Sequence, residues 1–176
     1  VGQYKKIDAI DKSVTFESNT FCISSLIEEF GIWRCIFKFE TIRGVKFPEA
    51  RMGEDQIFIL KTHVIDREVF FSNKVFYEYF IGIPTQLTSE SSNSLQLAPS
   101  IIEGINVRPR STSESWYIFQ ILLRLSLTYF FKVPIRIKYS AAKLLKQVWV
   151  SGNQLNKSQK LCLFTKVISN RIKFNR

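Results

Sequence analysis

Apolar residues recur along this chain with two spacings, and the switch between them predicts the elements. From Ser18 to Phe30, the positions Phe21, Ile23, Leu26, Ile27 and Phe30 follow a helical period, with Gly31 as a stop. Ile32 to Phe39 is a short, nearly continuous apolar run carrying Trp33 and Arg34, and it predicts a buried strand. After Gly53 the helical period returns through Ile57, Phe58, Leu60, Val64 and Ile65, with Lys61, Asp66 and Arg67 turned outward. Val69-Phe70-Phe71 and Val75 to Ile81 predict two strands about the turn Ser72-Asn73-Lys74, and the two-residue period puts Val75, Tyr77, Tyr79 and Ile81 on one face. Residues 1–19 show no clear pattern.

From Pro84 to Ser115 the chain turns polar and serine-rich, which predicts loops. Beyond it come three amphipathic helical stripes. The first carries Trp116, Phe119, Leu123, Leu127 and Phe130 against a narrow polar line of Gln120, Arg124, Thr128 and Lys132. The second sets Ile137, Ala141, Leu144, Leu145 and Val148 against Arg136, Lys143, Lys146 and Gln147; the third holds Leu161, Phe164, Ile168 and Ile172. The expected organisation is an α/β unit over 1–98, a linker over 99–114 and a basic helical tail over 115–176. The first stripe has a central Arg and ends before Pro134, so a helix lying flat at an interface is expected rather than one that spans a bilayer.

Charge sharpens that division. The 25 Lys and Arg against 15 Asp and Glu give a net charge of +10. Beyond Glu114 no carboxylate occurs at all, while cations continue to Arg176. A tail of one sign suggests an anionic surface as its partner. The 45% hydrophobic content excludes a disordered chain. Cys22, Cys35 and Cys162 are too widely spaced for a metal knuckle and are read as free thiols in a reducing compartment. His63 has no second ligand at a useful spacing, so a packing or surface role is expected. The chain begins with Val1 and shows no secretory leader, from which a fragment of a longer protein is expected.

The chemistry concentrates in Phe47-Pro48-Glu49-Ala50-Arg51-Met52-Gly53-Glu54-Asp55-Gln56-Ile57-Phe58. A glycine suits a tight bend, and two acids at a helix start meet orphan N–H groups and the positive end of the helix dipole. Taken alone, that describes a helix N-terminus and nothing more. The order of the neighbouring segments adds to it: Trp33-Arg34-Cys35-Ile36-Phe37 upstream, then Gly53-Glu54-Asp55, then Val75-Phe76-Tyr77-Glu78-Tyr79. Over about residues 20–90 this order resembles the acceptor-side half of family 2 glycosyltransferases of the GT-A fold.

The resemblance implies a fold and an activity. The fold would be α/β, the C-terminal part of a GT-A type, Rossmann-like domain followed by amphipathic α-helices. The reaction would be an inverting transfer of a sugar from a nucleotide-sugar donor to a hydroxyl of a glycan or lipid-linked acceptor, in surface polysaccharide biosynthesis. Asp55 matches the family's catalytic base and Glu54 its neighbour; Trp33, Arg34, Gln56, Tyr77 and Tyr79 would bind the acceptor. A helix start is expected to keep Asp55 ionised at neutral pH, at some cost in basicity. The full enzyme would use a divalent metal, Mg or Mn, held by an Asp-x-Asp pair. No such pair occurs in this chain, so no metal ligand is assigned and the chain alone is expected to lack turnover. The expected location is the cytoplasm, peripheral to the inner face of the cell membrane. The competing reading is a non-enzymatic basic module that binds membranes or nucleic acid. Nucleic acid is disfavoured because Trp116, Tyr139 and Trp149 fall on apolar faces and no nucleic-acid motif is present.

Overall fold

The computed structural model of the chain describes residues 1, 3–17, 32, 35–83 and 95–174. The fold is mixed α/β. Its small sheet has the order β2-β1-β3, formed by Gln3–Asp8 (β1), Val14–Glu17 (β2) and Val75–Ile81 (β3). β1 and β2 make an antiparallel hairpin, and β3 runs parallel to β1. The hairpin lies in the stretch where the sequence shows no pattern. Its turn is held by side chains: Asp8 Oδ1 accepts the N–H groups of Ile10 (2.8 Å) and Asp11 (3.2 Å), and Asp11 Oδ1 accepts that of Ser13 (2.8 Å). These acids are turn formers.

The two other expected strands are not formed. Residues 35–38 are extended and alternate in burial, with Cys35 and Phe37 half-buried and Ile36 and Lys38 exposed. Among the described residues no strand pairs with them, and the run ends in a one-turn helix, Phe39–Ile42 (α1). Val69 to Phe71 is likewise irregular. An apolar run signals burial, but a strand needs a partner edge as well. The helix expected over 18–30, with its Gly31 stop, lies outside the described residues, as do Trp33 and Arg34.

The core belongs to the helices. These are Glu54–Thr62 (α2), Leu97–Ile105 (α3), Thr112–Lys132 (α4), Lys138–Ser151 (α5) and Lys157–Phe174 (α6). One cluster joins Ile57 and Leu60 of α2, Ile101 of α3, Phe119, Leu122 and Leu123 of α4, Val148 of α5 and Leu163 of α6. α4 is its axis. Its residues Ile118, Phe119, Ile121, Leu122, Leu123, Leu125, Leu127 and Tyr129 are all buried. The first amphipathic stripe is therefore wrapped by protein on nearly every side, and even its polar line is drawn in, with Gln120 buried and Arg124 and Thr128 half-buried. Among the described residues no helix is long and apolar enough to cross a membrane.

The stretch expected as a linker contains most of α3, which buries Ser100, Ile101 and Gly104. Pro99 and the serines around it read as loop, yet Pro99 sits in the first turn, where its missing N–H costs no intrahelical bond. Gly104 and Gly152 let backbones approach closely: a Cβ on Gly104 would stand 2.4 Å from Leu122 Cδ2, and one on Gly152 2.6 Å from the Phe119 ring. α5 buries Ala141, Leu144 and Val148 and exposes Lys143, Lys146 and Gln147, as its pattern predicts. In α6 the buried positions are Leu163 and Val167, while Leu161 is exposed.

Candidate functional site

Gly53 adopts φ +78°, in the left-handed region where a side chain is strained, and α2 begins at the next residue. The turn before it is pinned from behind: Ser100 Oγ donates to the Met52 carbonyl at 2.7 Å. The two acids of Gly53-Glu54-Asp55 therefore open a helix whose start is fixed by glycine geometry and by contact with α3. The bend and the helix start both match the sequence.

Asp55 departs from expectation in its electrostatics. Its Oδ1 accepts the N–H of Gln56 at 2.8 Å, a bond that favours the carboxylate. Burial outweighs this and pushes its pKa up from 3.8 to about 6; the Glu54 carboxylate adds to the rise and the Arg124 guanidinium opposes it. A helix start was expected to hold the group down. Desolvation wins because charge is stabilised far less inside the protein than in water, while the dipole contributes only about 0.3–1 kcal/mol. Asp55 remains about nine-tenths ionised at pH 7 and is a stronger base than an ordinary aspartate.

Arg124 is the residue that sequence reasoning missed at this site. Its Nη2 donates to Gln56 Oε1 at 3.0 Å, tying the centre of α4 to the first turn of α2. A signal was present: a cation halfway along the most apolar stretch needs a polar partner if that helix is buried. Gln56 Oε1 thus holds the guanidinium whose charge also acts on Asp55.

α2 also forms part of the wall of a cleft of about 590 Å³, lined by Ile59, Phe37, Phe70, Phe71 and Phe76, with Lys38 and Arg67 among its polar groups. Asp55 lies four residues before Ile59, on the same side of the helix by its period. It is not itself a lining residue. Phe76 enters the lining where the β1–β3 register is irregular, since Gln3 pairs with Val75 but Tyr4 pairs with Tyr77. Tyr77 and Tyr79 lie with their rings 6.5 Å apart, as the strand period requires, but they are not among the residues that line the cleft. The structure brings Glu54, Asp55, Gln56 and Arg124 together and leaves the tyrosines on the sheet.

The far end of α2 holds a second buried carboxylate. Glu114 is 1% exposed. Its Oε1 lies 2.7 Å from His63 Nδ1, its Oε2 accepts the N–H of Arg110 at 2.5 Å, and its own N–H donates to Ser111 Oγ at 3.0 Å. Ser111 Oγ caps the start of α4, and Glu114 reaches back to the Arg110 N–H, one residue before the partner it takes in a regular capping box; the arrangement is hidden in sequence within the serine-rich stretch. His63 thus has a structural role, as its solitary position predicts.

Among the described residues no group of three or more His, Cys, Asp or Glu side chains is placed to hold a metal ion. The divalent ion was expected on an Asp-x-Asp pair that this chain does not carry, and no chemistry at this site is routed through one. Compared with known protein families, with curated proteins and with solved structures, the chain matches none.

Proposed function

We propose that this chain is the acceptor-side part of an inverting glycosyltransferase of the GT-A type, with Asp55 as its general base. The observation that carries the reading is Asp55 itself: a carboxylate at a glycine-fixed helix start, buried enough to raise its pKa to about 6 and still ionised at neutral pH. Efficient general bases have pKa values near the working pH. Ordinary helix-capping acids have no need of that adjustment.

In this reading the acceptor hydroxyl lies against Asp55, which takes its proton as the oxygen attacks the anomeric carbon of the sugar donor. The new glycosidic bond forms on the face opposite the breaking bond to the nucleoside diphosphate, so configuration inverts. Glu54 positions the acceptor. Arg124, held by Gln56, keeps the carboxylate charged until it is needed. The phenylalanine-lined cleft beside α2 supplies apolar faces for the acceptor's sugar rings or lipid chain. The donor is bound by a separate nucleotide-binding half with its own metal ion, so these residues alone would not turn over. The setting is surface polysaccharide synthesis on the cytoplasmic side of a membrane.

The test is a transferase that joins these residues to a donor-binding half, assayed with nucleotide sugars against glycan and lipid-phosphate acceptors. Asp55→Asn should lower turnover by about 10²–10⁴-fold with donor affinity unchanged. Glu54→Gln should cost less. Near-normal turnover in Asp55→Asn would leave the acids as a helix cap only.

A further inference from the structure

The amphipathic helices bury most of their apolar faces in the core; Val150 and Leu161 stay exposed singly, whereas three large side chains are left outside close together in sequence at one corner. The α4–α5 corner exposes Phe131 (54%), Ile135 (85%) and Tyr139 (84%). Exposed cations are interleaved with them: Lys132, Arg136 and, one turn beyond Tyr139 on α5, Lys143. Backbone bonds and burial hold the corner in place. Val133 is buried beneath it and donates its N–H to the Tyr129 carbonyl at 3.1 Å, and the N–H of Ile137 bonds the Pro134 carbonyl at 2.9 Å. Lys138 is committed to the fold, because its ammonium binds the Phe130 carbonyl, lies 3.2 Å from that of Phe131 and sits over the Phe130 ring at 4.8 Å. The apolar side chains are held outward by a frame whose own polar groups are satisfied.

We infer that this corner docks on an anionic lipid surface, with Phe131, Ile135 and Tyr139 entering the interface and Lys132, Arg136 and Lys143 meeting acidic headgroups. Charge complementarity decides the occupant. No acidic side chain follows Glu114 in the chain, so none along α5, α6 or α4 beyond its first turn offsets these cations. Burying an exposed isoleucine and two aromatic rings at an acyl boundary is favourable, and each cation adds attraction to anionic headgroups. A nucleic acid would use the cations but gain nothing from Ile135. With no described helix able to span, the contact is interfacial. This inference is independent of sugar transfer, since lipid binding is read without any activity.

The experiment is co-sedimentation of the chain with vesicles of phosphatidylcholine alone and with added phosphatidylglycerol, with circular dichroism to show that each variant is folded. Binding should need the anionic lipid. The double variant Ile135→Ser with Tyr139→Ser, both at exposed positions, should weaken it about tenfold or more, given the apolar area withdrawn. Arg136→Gln and Lys143→Gln should each cost about fivefold. Lys157→Gln and Lys166→Gln, exposed on α6, should cost less than either. Equal binding by the Ile135/Tyr139 variant, equal loss from cations on α6, or no binding to anionic vesicles would each overturn the inference. So would binding of single-stranded RNA that depends on Arg136 and Lys143 and exceeds the lipid binding.

Discussion

The two ends of α2 each bring a carboxylate out of water, and they treat it in opposite ways. At the C-terminal end the two carboxylate oxygens of Glu114 are met by His63 and by the Arg110 N–H, while its own N–H is capped by Ser111, so its buried acceptor oxygens are used. At the N-terminal end Asp55 meets backbone donors, the N–H of Gln56 at 2.8 Å and its own, and burial outweighs them, driving its pKa to about 6. A carboxylate that holds a fold together is satisfied by its partners. One whose desolvation outweighs its hydrogen bonds destabilises the fold when charged and gains basicity, which is the pattern expected of a reactive group.

Substitutions at the two ends should therefore diverge. The largest effect is on rate, in Asp55→Asn: a loss of about 10²–10⁴-fold in the assembled transferase, measured by steady-state turnover. Next is Glu114→Ala, which strands a buried N–H and the His63 ring; denaturant unfolding should show a loss of about 3 kcal/mol. Asp55→Asn should move stability the other way. Because the folded pKa of Asp55 exceeds 3.8, the native state holds its proton more tightly, and its ionisation costs stability as pH rises from about 4 through 6. The asparagine should thus stabilise the protein by about 1–3 kcal/mol at pH 7, with the gain fading below pH about 4. Equal destabilisation at the two ends, flat with pH, would erase the contrast.

A smaller effect belongs to Gly53→Ala. The space around it admits a methyl group, with neighbours at 3.4–3.5 Å, so the cost is the left-handed backbone alone, about 1–2 kcal/mol. Smallest is Arg124→Gln, which removes the charge that opposes the rise at Asp55 and should shift its titration further upward.

Which parts of this were legible in the sequence follows from the range of the forces involved. Gly53-Glu54-Asp55 was readable because a bend and a helix start are local. α5 was readable because one face of it remains in water. Arg124 was not, since the stripe of α4 looks the same whether lipid or protein surrounds it, and only packing shows that α3, α5 and α6 do. The described residues of the strand expected at 32–39 pair with no described strand, and no local pattern records where a partner edge lies. α3 and the cap at Ser111 and Glu114 were present in the letters but masked by the Pro99 and serine content around them. The cleft lined by Phe37, Phe70, Phe71 and Phe76 joins segments distant in sequence, one of them re-aimed at a strand irregularity.

The poised state of Asp55 underlies both the proposed chemistry and the contrast with Glu114, and it is measurable on the chain itself. The side-chain carboxyl ¹³C resonance of Asp55, followed by NMR from pH 3 to 8 and assigned by its loss in Asp55→Asn, should titrate with a midpoint near 6. A midpoint at 3.8 or below would mean that the helix start holds the charge after all, leaving Asp55 an ordinary cap.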